Sequence, residues 1–168
     1  MANNSLPLID IGANLLDKKL YKNFESIIQK SKDNNLKKII ITSSCIEDTY
    51  AAKILIDKEP DLLCTTVGFH PHNAKDYNDD HYDEMLKLCN LGYVKAIGEC
   101  GLDYKRNYSS KINQLYCFKK HLDLACEINM PMFLHERDAH QDFYMLLKEY
   151  INKIEDVVVH CFTGDKQS

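Results

Sequence analysis

Short apolar runs alternate with longer amphipathic stretches along the whole chain. The runs at 6–11, 38–42, 62–68, 94–98, 131–135 and 157–161 are nearly continuous in apolar character, as expected of strands covered on both faces. The stretches at 20–31, 47–57, 80–91, 111–128 and 141–150 carry apolar residues at helical spacing. Leu20, Phe24, Ile27 and Ile28 mark the first of these helices, and Leu115, Phe118, Leu122, Ala125 and Cys126 mark the fourth. Pro60 lies just beyond the second, where a helix cannot continue. Strand and helix alternate without a composition break or a low-complexity tract, which predicts a parallel α/β fold.

Two architectures fit this alternation, a doubly wound open sheet and a (β/α) TIM-type barrel. Gly12 stands alone after the first strand, so the glycine-rich loop of a dinucleotide fold is missing. Asn14, His70, Glu99, His135 and His160 all fall at or just past the C-terminal end of a predicted strand. In a barrel those ends converge on one mouth, where the active site lies; in an open sheet they spread along an edge. The pattern favours the barrel. A complete barrel has eight strands and typically ~250 residues. The six predicted strands are therefore read as the N-terminal portion of one hydrolase domain over residues 1–168, C-terminally truncated, with the last strands missing.

Glu99, His135 and His160 close the strands VKAIGE, PMFLH and VVVH. One such residue alone is more often a satisfied, partly buried polar group. Three on successive strands are costly to bury unless something pairs with them, and a metal does so. Imidazole nitrogen and carboxylate oxygen suit Zn or Mn, and Mg when water fills the shell. Cys100 and Cys161, next to two of these positions, should point to the opposite side as buried structural cysteines.

In GFHPH, Pro71 fixes the chain and presents His70 and His72 on a rigid turn, both candidates for substrate contact. Asn14, past the first strand, joins them. Gly98 and Gly101 around Glu99 permit close backbone approach or positive φ. Asp103 is either a partner that orients a ligand or a turn cap. Arg137 has the planar fork that grips phosphate, or else pairs with Asp138, which could instead cap the following helix. Tyr104 is a candidate for stacking on a nucleic-acid base.

Composition narrows the setting. The net charge of −4 argues against capture of nucleic acid by a broadly basic surface, but not against a nucleic-acid enzyme whose ions reverse the local field. Seven cysteines without a CxxC pair point to a reducing, cytoplasmic compartment. No stretch is long and apolar enough to suggest a membrane span.

The stretches IDIGANL, TVGFHPH, AIGECGLDY, MPMFLHERDAH and VVHCFTG resemble, in order and spacing, those of the TatD-like DNase family. The resemblance covers nearly the whole chain. It implies an amidohydrolase-type barrel that hydrolyses phosphodiester bonds of DNA, exonucleolytically, with two divalent metal ions. It carries the metal ligands onto Glu99, His135 and His160, and a substrate-side role onto His70. Many relatives have a His-x-His pair where this chain has Gly12 and Asn14, and a Cys where it has Glu136. The family's aspartate ligand falls beyond Ser168. DNA is the expected substrate, and no obligate protein partner is expected. Two alternatives stand beside this reading: a metal-dependent amide or ester hydrolase on the same barrel, or a non-catalytic metal- or nucleic-acid-binding remnant.

Overall fold

The computed structural model describes residues 6–165. Its strands are β1 (Leu8–Ala13), β2 (Leu36–Ile41), β3 (Leu63–Val67), β4 (Val94–Asp103), β5 (Met132–Arg137) and β6 (Val157–His160). They form one sheet in chain order, each parallel to the next. A doubly wound sheet reverses its strand order at a switch point. Here there is no reversal, and the sheet curls into a partial barrel.

The helices are α1 (Lys18–Tyr21), α2 (Phe24–Asp33), α3 (Ile46–Ile56), α4 (Asp80–Cys89), α5 (Lys111–Ile128) and α6 (His140–Lys148). Their apolar sides meet the outer face of the sheet. Ile97, Cys100, Leu102 and Leu134 from the strands pack with Phe118 and Leu122 of α5, all fully buried. Phe118 stacks on Phe143 of α6, with ring centroids 5.2 Å apart. β1 and β6 each have one neighbour in the sheet among the described residues, and Ile9 and Val158 are accordingly 60% and 43% exposed. No helix among the described residues is long and apolar enough to cross a membrane.

Two elements differ from the sequence reading. The first predicted helix is two helices, broken at Asn23, whose side-chain amide donates to the Lys19 carbonyl instead of extending the ladder. The fourth strand runs on to Asp103, five residues past its predicted end. Gly98 and Gly101 look like terminators in the sequence. In the structure they sit at φ 140° and 139° within a strand that stays paired to β5 through a register shift. Glu99 and Asp103 are thus strand residues rather than loop residues.

One buried histidine was not expected. His121 on α5 is fully buried; its Nε2 accepts from the Phe69 N–H, and its Nδ1 lies 2.7 Å from the Cys117 carbonyl. A neutral ring satisfies both partners and ties α5 to the end of β3. Burial pushes its pKa down to about 4. The unfolded chain takes up this proton near pH 6.5, whereas the folded chain does so only near 4, so stability falls as pH drops through that window. The loss between pH 7 and 4.5 should be about 2 kcal/mol from this group. Urea denaturation at the two pH values measures it. His121→Gln should flatten the slope by that amount, and an unchanged slope would exclude His121 as its source.

Candidate metal centre

Four imidazoles, of His70, His72, His135 and His160, gather toward the C-terminal ends of the strands. Oε1 of Glu99 is the hub for three of them: His160 Nε2 lies 2.6 Å from it, His135 Nδ1 3.0 Å and His70 Nε2 3.3 Å. Glu99 and His135 are buried, while His70 and His160 are partly open. Ligand atoms of His70, Glu99 and His135 all lie within 4.8 Å of one another. His160, on the far side of Glu99, stacks on Phe133 with centroids 4.6 Å apart. Burial alone would raise the Glu99 carboxyl, but hydrogen bonds with His135, His160 and His70 outweigh it and hold the group far below the usual carboxylate range.

The backbone sets the His70 ring. Its Nδ1 accepts from the His72 N–H at 3.1 Å, at the head of a short 3-10 turn over Pro71–Asp76. A nitrogen that accepts carries no proton, so the proton of the neutral ring is on Nε2, facing Glu99. Burial lowers the His70 pKa and favours that neutral form.

Asp103 lies behind these groups, fully buried. Its Oδ2 is 2.8 Å from His72 Nε2 and 3.4 Å from His135 Nε2. Its Oδ1 accepts from the N–H groups of Lys105 and Arg106. The turn-capping reading of Asp103 is therefore observed on Oδ1, while Oδ2 pairs with His72. Gln114, which the sequence reading did not single out, brackets the same residue: its Oε1 accepts from the Asp103 N–H and its Nε2 donates to the Asp103 carbonyl.

A cleft of about 310 Å³ opens above the cluster, lined by Asn14, His70, His72, Glu99 and His160. Thr42, Ser44, Asn73 and Phe133 also line it and were not anticipated. Thr42 and Ser44 follow a strand as the expected residues do, so their position was the available signal. The Thr42 hydroxyl donates to Asn14 Oδ1 at 3.0 Å. Arg137 is not in the lining; its guanidinium donates to Cys161 Sγ at 3.1 Å. Cys161 is accordingly not a buried structural cysteine: it is partly exposed, at φ 55°, where β6 has ended and strand alternation no longer applies. Cys100 is fully buried on the helix side, as expected.

Asp138 neither pairs with Arg137 nor caps α6. Its N–H donates to Thr163 Oγ1, and Glu136 Oε1 accepts from the Ala139 N–H at the helix start. Tyr104 is not free to stack on a base: Lys111 covers its ring at 4.0 Å and its hydroxyl donates to Asp142.

The donor set fits a divalent ion. One carboxylate oxygen has two lone pairs, yet three imidazole nitrogens crowd Oε1 of Glu99. A cation among neutral imidazoles and a carboxylate resolves that excess and suits borderline metals.

Residues 9–168 match the family described as TatD related DNase. A 3'-5' ssDNA/RNA exonuclease TatD of Pectobacterium parmentieri is 38% identical over 160 residues, covering 95% of this chain and 62% of the relative. That of Yersinia pseudotuberculosis is 38% identical over 94% of this chain and 61% of its own length. Among solved structures, a hydrolase TatD family protein from Entamoeba histolytica aligns with a TM-score of 0.86 at 34% identity, over 97% of this chain and 60% of that one. A TatD homolog from Escherichia coli k12, at 24% identity and a TM-score of 0.83, shares the fold over 95% of this chain and 62% of its own. The chain thus spans about three fifths of the length of the curated relatives it matches.

Proposed function

The chain belongs to the TatD related DNase family, and we propose that it forms the metal-binding part of a hydrolase domain that removes nucleotides from single-stranded DNA or RNA ends. The observation that carries this reading is the convergence of imidazole nitrogens on Glu99 Oε1 beneath a polar cleft. The names of the relatives supply the substrate class and the 3'-5' direction.

Glu99, His135 and His160 would hold the divalent metal. His70 belongs to the geometric cluster, but its Nε2 is protonated and has no lone pair to give. It acts as a hydrogen-bond donor aimed into the cleft, suited to a phosphate oxygen. Mg or Mn suits the oxygen-rich cleft; Zn suits the imidazoles. A divalent ion bound there supplies positive charge that polarises a phosphoryl oxygen and lowers the pKa of water. Asn14 and the hydroxyls of Thr42 and Ser44 would orient the end nucleotide in the same cleft. The concave mouth and the net charge of −4 suit a strand end better than the length of a duplex.

The test uses the full-length protein and single-stranded oligonucleotides labelled at either end. EDTA should abolish hydrolysis, and Mg or Mn should restore it. The first label released should come from the 3' end. Undiminished cleavage in excess chelator would sink the metal assignment, and internal cleavage products would sink the exonuclease assignment.

A further inference from the structure

The loop from β4 to α5 reads KRNYSSK over 105–111, with three cations and no anion in a chain whose net charge is −4. It also carries an aromatic ring that the fold does not bury. Tyr108 is 59% exposed, and its ring meets that of His72 with centroids 4.7 Å apart at 88°. His72 lines the cleft, and its ring is in turn 4.2 Å from that of His70. One imidazole therefore stands between Tyr108 and the cluster around Glu99. The neighbours of Tyr108 fix its backbone. Ser109 is buried; its hydroxyl donates to the His72 carbonyl and accepts from the Lys75 N–H, and its own carbonyl accepts from the Gln114 amide. On the other side, Asn107 turns the chain at φ 52°. These ties hold Tyr108 at the rim of the cleft and leave its ring to solvent. Tyr104, four residues earlier, cannot take the same part, because Lys111 covers its ring and Asp142 accepts from its hydroxyl.

We infer that Tyr108 is a substrate-binding residue: its ring stacks on a nucleobase of the strand end whose phosphate lies in the cleft. An aromatic ring more than half open to water adds little to the core, whereas a base laid on it takes two apolar faces out of water. Lys105 and Arg106, exposed on the same loop, bring positive charge to the backbone of the stacked nucleotide. The occupant is single-stranded, because bases inside a duplex already stack on each other and offer no free face. Every base has such a face, and stacking makes no use of the sugar hydroxyls. The contact therefore holds any sequence, in DNA or RNA alike. The inference rests on the nuclease reading above, and its test separates the two.

The test measures KM and kcat for nucleotide release by the full-length protein with Mn. The substrates are single-stranded oligonucleotides, intact or lacking the base at one of the terminal positions. Loss of a contact made equally in the ground and transition states raises KM and spares kcat. In the wild type, one abasic position should raise KM about 5–100-fold. Tyr108→Ala should raise KM for the intact strand by a similar factor and become indifferent to that abasic position. Tyr108→Phe, which keeps the ring, should recover both the wild-type KM and the sensitivity. DNA and RNA strands should show the same factor. A wild type whose KM ignores every abasic substitution overturns the stacking without need of a variant. So does Tyr108→Ala with the wild-type KM, or with a raised KM and the abasic sensitivity intact. Wild-type protein that releases no nucleotide from any strand overturns the nuclease reading, and this inference with it.

Discussion

Glu99→Gln in the full-length protein should lower nucleotide release from a single-stranded oligonucleotide by about three orders of magnitude, with helix content and solubility retained. The magnitude follows from the several kcal/mol that metal charge contributes to a phosphoryl transition state, at about 1.4 kcal/mol per tenfold. Gln keeps the shape of the side chain and one acceptor oxygen, so the strand pairing of β4 with β5 should survive. What it removes is the negative charge that three imidazoles surround. The variant should also bind Mn more weakly, and raising the metal concentration should recover only part of the rate. The same oligonucleotide assay, run across metal concentrations on wild type and variant, measures both effects. A variant with more than a tenth of wild-type turnover would mean that Glu99 is a structural anchor for the histidines and not the centre of a metal site.

The placement of this site was legible because its residues obey one rule. Glu99, His135 and His160 each end an apolar run, and parallel strands in chain order bring such ends together. The six strands were legible for the same reason, since apolar runs in an α/β fold have few other places to go. Three things were hidden by physics that a pattern does not carry. The length of β4 depends on whether Gly98 and Gly101 stop pairing or bend it, and only the approach of β5 decides that. The direction of Arg137 depends on rotamer and neighbour; the residue that claims it, Cys161, follows a strand that has just ended. The division of labour among histidines depends on where single protons sit. His70 and His135 are alike in sequence context, each closing a strand. A backbone N–H fixes the ring of the first, while the second faces Glu99 through Nδ1.

His121 shows the opposite limit. In the sequence it is one more polar residue on the helix 111–128, with no apolar run before it to flag a site. Its burial comes from packing against Phe69 and Tyr77, residues 52 and 44 positions earlier in the chain, which periodicity cannot register. His70, His72 and His160 line the cleft, whereas His121 has both nitrogens committed inside the core. Position at a strand's end, rather than residue type, separates the candidate ligands from the structural histidine.

Gly101→Ala should destabilise the full-length protein by about 4 kcal/mol or more, enough to leave little of it folded at 37 °C if its stability is ordinary. Two costs add. Gly101 holds φ at 139°, a conformation that L side chains rarely adopt and that costs on the order of 1–3 kcal/mol. A Cβ there would also stand 2.1 Å from the His135 carbonyl oxygen, closer than any real contact. That atom is backbone in a paired strand and cannot rotate away, so β4 and β5 would have to separate. Separation would move Glu99 from His135, and metal binding should fail along with stability. Gly98→Ala meets the Phe133 carbonyl oxygen at the same 2.1 Å and should behave alike. Two controls isolate the cause. A Cβ on Gly12 meets only the Phe133 ring tip at 3.0 Å, and one on Gly92 meets nothing within 4 Å, so each Ala variant should lie within about 1 kcal/mol of wild type. Urea midpoints of the four variants give the comparison. If Gly101→Ala unfolds at the same urea concentration as Gly92→Ala, the two strands do not approach as closely as the site requires, and the geometry joining Glu99 to His135 is wrong.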